Sequence, residues 1–138
     1  MVDQPSNNSL GDVLVIGGCG FLGSALVKLL LKDPTCSSVH VMSRNPTVNI
    51  HENAQYHIGS ITNENEVETL LDKIKPKVIF DLASPTYLVA DKIQRLTNID
   101  GTKILLKCST ESPWVKALLY ATTDSSVVQL PAEQSSIE

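Results

Sequence analysis

No run of lysine or arginine occurs in this chain, and acidic side chains outnumber basic ones, 15 to 11, for a formal charge of −4. A surface built to hold nucleic acid needs the opposite balance. There is no C-x-x-C pair, and the three cysteines (Cys19, Cys36, Cys108) are odd in number and widely spaced. That pattern argues against a disulfide framework and suits reduced intracellular thiols. His40, His51 and His57 fall on or near candidate strands without zinc-ligand spacing, so no metal site is expected. Residues 1–11 lack the basic start and apolar stretch of a signal peptide. The longest helix-like apolar stretch, Phe21 to Leu31, is interrupted by Ser24 and Lys28 and is too short to span a bilayer. No internal repeat or low-complexity tract is present. A soluble, cytoplasmic protein is the expectation.

What is there is enough for one domain. The chain has 138 residues, 42% of them hydrophobic and 19% charged, an ordinary globular balance. Val13 to Ile16 reads as a buried strand. Phe21, Leu22, Ala25, Leu26, Leu29 and Leu30 recur at helical spacing up to Lys32, and Pro34 should end that helix. Val39 to Met42 makes a second strand, followed by a polar turn at Ser43-Arg44-Asn45-Pro46, and Tyr56 to Ile58 a third. Asn63 can cap the next helix with Glu66 reaching back to it. Val67, Leu70, Leu71 and Ile74 form that helix's apolar face, and Pro76 closes it. Val78 to Leu82 is a fourth strand, a helix runs from about Leu96 to Ser109, and Ala117 to Tyr120 is a fifth strand. Strands alternating with helices imply right-handed crossovers and a parallel sheet. The α/β class follows: a Rossmann-type doubly wound sheet in the order 3-2-1-4-5, with its crevice over the carboxyl ends of strands one and four.

Between the first strand and the first helix lies Gly17-Gly18-Cys19-Gly20-Phe21-Leu22-Gly23. Gly18, Gly20 and Gly23 fit G-x-G-x-x-G, and Gly17, Gly20 and Gly23 fit the offset G-x-x-G-x-x-G. Strand, glycine turn, helix is the order a dinucleotide needs. A pyrophosphate approaches backbone only where Cβ atoms are absent, and first-turn amides supply its donors. An ordinary structural turn is the alternative, and the flanking strand and helix favour the cofactor. The expected organisation is a disordered leader over residues 1–11, a dinucleotide-binding domain over 12–128 and a loose tail over 129–138.

Several segments together resemble the amino-terminal part of the extended short-chain dehydrogenases/reductases. They look most like the 3β-hydroxysteroid and sterol-4α-carboxylate dehydrogenase group. The glycine segment is close to that group's signature, with Ile16 where threonine is usual. Gly59-Ser60-Ile61-Thr62 resembles its G-D-I-T/D segment, with Ser60 replacing the acid that contacts adenine. Phe80-Asp81-Leu82-Ala83-Ser84-Pro85 is similar to H-x-A-S-P, whose backbone lines the nicotinamide ribose, with Asp81 where histidine is common. Asn98-Ile99-Asp100-Gly101-Thr102-Lys103 looks like the N-V-x-G-T-x helix, and Tyr120-Ala121-Thr122-Thr123 like Y-T-S-S. The resemblance implies that Gly17, Gly20, Phe21, Leu22, Gly23, Arg44, Ser60, Ile61, Leu82, Ala83 and Ser84 hold NAD or NADP. It also implies that Asn98 supports a proton relay and that Thr123 polarises a substrate carbonyl. The implied reaction is NAD(P)-dependent oxidation or reduction of a hydroxyl or carbonyl on a hydrophobic substrate, a sterol or a terpenoid or polyketide metabolite. Family analogy adds peripheral association with the endoplasmic reticulum.

At the end of strand two a carboxylate would hold a 2′-hydroxyl, whereas arginine suits a 2′-phosphate. Ser43-Arg44 with no acid leans toward NADP; Arg44 as a merely solvated turn residue stays open. The family's chemistry needs Tyr-x-x-x-Lys, and none occurs: Tyr56 is followed at that spacing by Ser60, Tyr87 by Asp91 and Tyr120 by Asp124. In the family the pair falls beyond the position of Glu138, so a truncated enzyme is the first expectation. A non-catalytic NAD(P)-binding sensor is the alternative. A sheet stopping at its fifth strand leaves an uncovered edge, which favours self-association.

Overall fold

A computed structural model describes residues 9–83 and 99–121. Its elements run β1 (Gly11–Ile16), α1 (Phe21–Lys32), β2 (Cys36–Ser43), β3 (Gln55–Ile58), α2 (Glu64–Ile74), β4 (Val78–Asp81), α3 (Gly101–Glu111) and β5 (Ala117–Tyr120). The five strands form one sheet in the order β3-β2-β1-β4-β5. Every pairing is parallel. This is the predicted topology. The chain works outward from β1 to β3, then returns past β1 to β4, so the direction of travel reverses between β1 and β4.

The apolar run of β1 makes this possible. Successive strand side chains point to opposite faces, so Val13 and Val15 join Val27 and Leu30 of α1 on one side. Leu14 and Ile16 join Leu70, Leu71 and Ile74 of α2 and Leu105 and Cys108 of α3 on the other. Val13 to Ile16 are no more than 3% exposed. A strand covered on both faces cannot alternate with polar residues, so it reads as an unbroken apolar run.

Local chemistry sets the element ends. Asp33, next to Pro34, is extended (φ −82°, ψ 119°) and terminates α1. Asn63 accepts the Glu66 amide at 3.2 Å, as an N-cap should. Glu66 does not complete the predicted capping box, because its Oε1 accepts the Ser60 amide at 3.2 Å instead. Lys75 takes the left-handed conformation (φ 54°, ψ 55°) that closes α2 ahead of Pro76.

Two strands begin two or more residues earlier than expected. The second strand begins at Cys36 rather than Val39, and β1 begins at Gly11, inside the expected leader. Leader residue Ser9 donates its hydroxyl to the Thr35 carbonyl at 3.0 Å, which ties this stretch to the loop before β2. Helix α3 is described from Gly101 to Glu111; the expected start at Leu96 lies outside the described residues.

A chain of polar side chains crosses the sheet beneath α2. Ser38 Oγ donates to Asp12 at 2.6 Å and so receives the His40 Nε2 hydrogen at 3.1 Å. That leaves His40 Nδ1 to accept from His57 Nε2 at 3.0 Å, which ties β3 to β2. Burial pushes both imidazoles below the ordinary histidine value; Asp12 opposes this at His40, and Lys73 reinforces it at both.

Candidate functional site

At the carboxyl ends of β1, β2, β3 and β4 a crevice of about 220 Å³ opens. It is lined by Ile16, Gly17, Gly20, Met42, Ser43, Arg44, Gly59, Ser60, Ile61, Leu82 and Ala83. Seven of the residues singled out from the sequence are therefore brought together: Gly17, Gly20, Arg44, Ser60, Ile61, Leu82 and Ala83. Ile16, Met42, Ser43 and Gly59 were missed. Their signal was positional, since residues closing parallel strands at a topological switch point face the crevice.

The glycine turn leaves β1 sharply. Gly17 sits at φ +79°, where a side chain is strained. Its amide donates to the Met42 carbonyl at 3.1 Å, and its own carbonyl accepts the Gly20 amide at 3.1 Å. Gly23 has a packing reason: a Cβ there would stand 2.1 Å from the Gly17 carbonyl oxygen. Gly20 has none. Its backbone (φ −77°, ψ 176°) suits any residue, and an added Cβ would meet only the Gly17 oxygen at an ordinary 3.5 Å. The space kept by its missing side chain is crevice space.

Gly20 is also the N-cap of α1, with no side-chain cap and no acidic residue in the first turn. The first-turn amides of a helix have no intrahelical partner and carry the positive end of its dipole. Phe21 and Leu22 contribute backbone there; their side chains are 95% and 60% exposed and do not line the crevice.

The span from Arg44 to Ala54 is fastened to this turn. Asn49 donates its side-chain amide to the Cys19 carbonyl at 2.8 Å, and the His51 ring reaches Ser24 Oγ at 2.9 Å. The His51 amide donates to the Tyr56 hydroxyl at 2.8 Å. Arg44 is exposed at the crevice mouth. The Ser60 and Thr62 hydroxyls are hydrogen-bonded to each other at 2.7 Å.

Across the crevice, β4 ends in a buried carboxyl group. Asp81 is 1% exposed. Burial pushes its carboxyl above the usual carboxylate range, opposed by hydrogen bonds from the Ala83 amide and the Thr102 hydroxyl. Ser84, Asn98 and Thr123 lie outside the described residues. Among the described residues no group of three or more histidine, cysteine or acidic side chains could hold a metal. Within the same residues no helix is long and apolar enough to cross a membrane.

An open parallel sheet with an uncapped helix N-terminus and a glycine-walled crevice at its switch point defines a Rossmann-type nucleotide-binding fold. The family model described as NAD dependent epimerase/dehydratase family matches residues 13–137. The chain belongs to that family. It is 29% identical over 125 residues to the sterol-4-alpha-carboxylate 3-dehydrogenase (decarboxylating) of Candida albicans, covering 85% of this chain and 35% of that protein. It is 30% identical over 135 residues to a 3-beta-hydroxysteroid dehydrogenase of Mycolicibacterium neoaurum, covering 93% of this chain and 36% of that one. Among solved structures, the UDP-glucose 4-epimerase of Thermotoga maritima superposes with a TM-score of 0.75 at 26% identity, over 86% of this chain and 41% of the epimerase. The chain thus spans about a third of the length of its curated relatives.

Proposed function

We propose that the crevice holds a nicotinamide dinucleotide for hydride transfer to or from a hydroxyl or carbonyl on a hydrophobic, sterol-like substrate. Gly20 carries this reading: it is a glycine that neither the backbone nor the packing requires, beside a helix N-terminus with no side-chain cap. The family's NAD dependence and the sterol-acting relatives point the same way. Bound, the cofactor supplies a ring that gives or takes hydride. This chain's part is to hold it. The first-turn amides of Phe21, Leu22 and Gly23 meet the pyrophosphate, and Ile61 and the backbone at Ser60 flank the adenine. Leu82 and Ala83 wall the far side, and by resemblance Ser84 joins them in holding the cofactor. Arg44, with no acid beside it, favours the 2′-phosphate of NADP. By resemblance Thr123 polarises the substrate oxygen and Asn98 supports the proton relay. The exposed Leu119 and Tyr120 of the terminal strand β5 support self-association along that edge.

Calorimetric titration with NAD+, NADH, NADP+ and NADPH tests the reading. Binding of at least one at micromolar concentration is expected, and binding of none overturns it. Arg44→Ala should weaken NADPH by roughly tenfold, the loss of one charge-assisted contact, and leave NADH unchanged. Equal weakening of both would remove Arg44 from cofactor choice. A second reading, a non-catalytic nucleotide sensor, is favoured by the departures from the family pattern at Ile16, Ser60 and Asp81. Tight cofactor binding without hydride transfer to any hydroxyl or carbonyl compound by the full-length protein would select it.

A further inference from the structure

Asp81 is a buried carboxyl group that the cofactor-holding scheme does not use. It closes β4, pairs in register with Ile16 of β1 and Tyr120 of β5, and is 1% exposed. Burying a carboxyl group is costly, and an apolar side chain at this position would carry no such desolvation penalty. What the carboxyl group does there is specific. Its Oδ1 accepts the Ala83 amide at 3.1 Å, and its Oδ2 accepts the Thr102 hydroxyl, from the first turn of α3, at 3.4 Å.

Ala83 lies hard against the glycine turn. Gly17 faces it so closely that a Cβ on Gly17 would lie 2.9 Å from the Ala83 nitrogen and 2.9 Å from the Leu82 carbonyl carbon. The Ala83 amide that abuts the glycine turn is therefore the same one that Asp81 holds. On the other side, the Leu82 amide donates to the Ile16 carbonyl at 2.9 Å, which fixes the wall to β1.

We propose that Asp81 is a positioning residue of the nucleotide crevice: its two oxygens tie the Leu82–Ala83 wall to helix α3 and set the crevice width against Gly17. The assignment rests on the nucleotide reading of that crevice. Its raised proton affinity fits a site kept for hydrogen-bond geometry rather than for charge. A protonated carboxyl group keeps both links, accepting from Ala83 through one oxygen and donating to the Thr102 oxygen through the other.

The test separates fold stability from binding. Asp81→Asn retains an oxygen for Ala83 and places an N–H against Thr102, so its affinity for the preferred dinucleotide should stay within about twofold of the parent. Asp81→Leu removes both links and the buried polar group. It exchanges a costly buried carboxyl group for an unpaired Ala83 amide and a larger side chain, so its stability is read separately in denaturant, and the folded variant should bind the dinucleotide about tenfold more weakly. Thr102→Val, a minimal change if Asp81→Leu fails to fold, should lose a smaller part of the affinity. In the nucleotide-free protein, hydrogen exchange at the Ala83 amide should be slow in the parent and Asp81→Asn and fast in Asp81→Leu. Parent-like affinity and Ala83 protection in Asp81→Leu would overturn the proposal, as would failure of Asp81→Asn to rescue. If the parent binds no dinucleotide, the crevice reading falls, and the Ala83 amide still decides whether Asp81 holds the wall.

Discussion

Replacing Gly20 by serine should leave the fold intact and empty the site. The substituted residue keeps a backbone conformation open to any amino acid, and its Cβ meets only the Gly17 oxygen, at 3.5 Å. Serine is a better N-cap than glycine by a few tenths of a kcal/mol, and losing a glycine reduces the entropy of the unfolded chain by about 0.4–1 kcal/mol. Stability of the nucleotide-free protein should therefore be unchanged or rise by up to roughly 1 kcal/mol. Binding should suffer, because the side chain takes the room that brings phosphate within reach of the first-turn amides. Each charge-assisted hydrogen bond lost there costs about 1.5–3 kcal/mol, or roughly 10- to 100-fold in Kd. Gly23→Ala is the control of opposite sign, since its Cβ would stand 2.1 Å from the Gly17 oxygen and 2.8 Å from Gly18 Cα, both backbone. It should destabilise the fold by about 1–3 kcal/mol or more. Urea unfolding without ligand, paired with calorimetric titration, reads both variants. If Gly20→Ser binds as well as the parent, or unfolds as Gly23→Ala does, the open space at Gly20 is not where the phosphates sit.

The His40–His57 pair predicts acid sensitivity. Both folded-state values are depressed, so the unfolded chain takes up more protons: stability is full above about pH 6.5 and falls as pH drops through the depressed range. His57→Gln should flatten that slope in denaturant midpoints measured across the range, and an unchanged slope would reject the pair as its source. Leu71, fully buried between α2 and the sheet, should cost about 2–5 kcal/mol on truncation to alanine, read by the same unfolding assay; a loss under about 1 kcal/mol would contradict its place in the core.

Strand order was legible because β1 announces itself as buried on both faces and, apart from the β2–β3 link, each strand is separated from the next by a helical pattern. The first turn of α2 was half legible. Asn63 acts locally as a cap, but Glu66 reaches Ser60 only because the turn after β3 brings that amide close. The early half of β2 was invisible. Cys36, Ser37 and Ser38 carry no apolar pattern, and they are extended because β1 pairs with them across a register shift after Gly11. In the site the glycines stood out, but their division of labour did not. That Gly23 faces the Gly17 carbonyl while Gly20 faces open space depends on how the turn folds back on itself, which glycine spacing alone does not reveal. Asp81 looked like a departure from a family pattern, and its partner Thr102 lies 21 positions downstream, beyond any local signal. Ser84, Asn98 and Thr123 lie outside the described residues, so their expected roles rest on resemblance.

The anchoring of residues 44–54 has a consequence for altering selectivity. Asn49 and His51 grip a carbonyl at Cys19 and a hydroxyl at Ser24, so the stretch carrying Arg44 is a bracket bolted onto the turn beneath it. A single exchange at Arg44 can therefore retune which nucleotide is preferred while its mounting stays put. Transplanting the bracket into another scaffold succeeds only where the recipient offers the same two bolts.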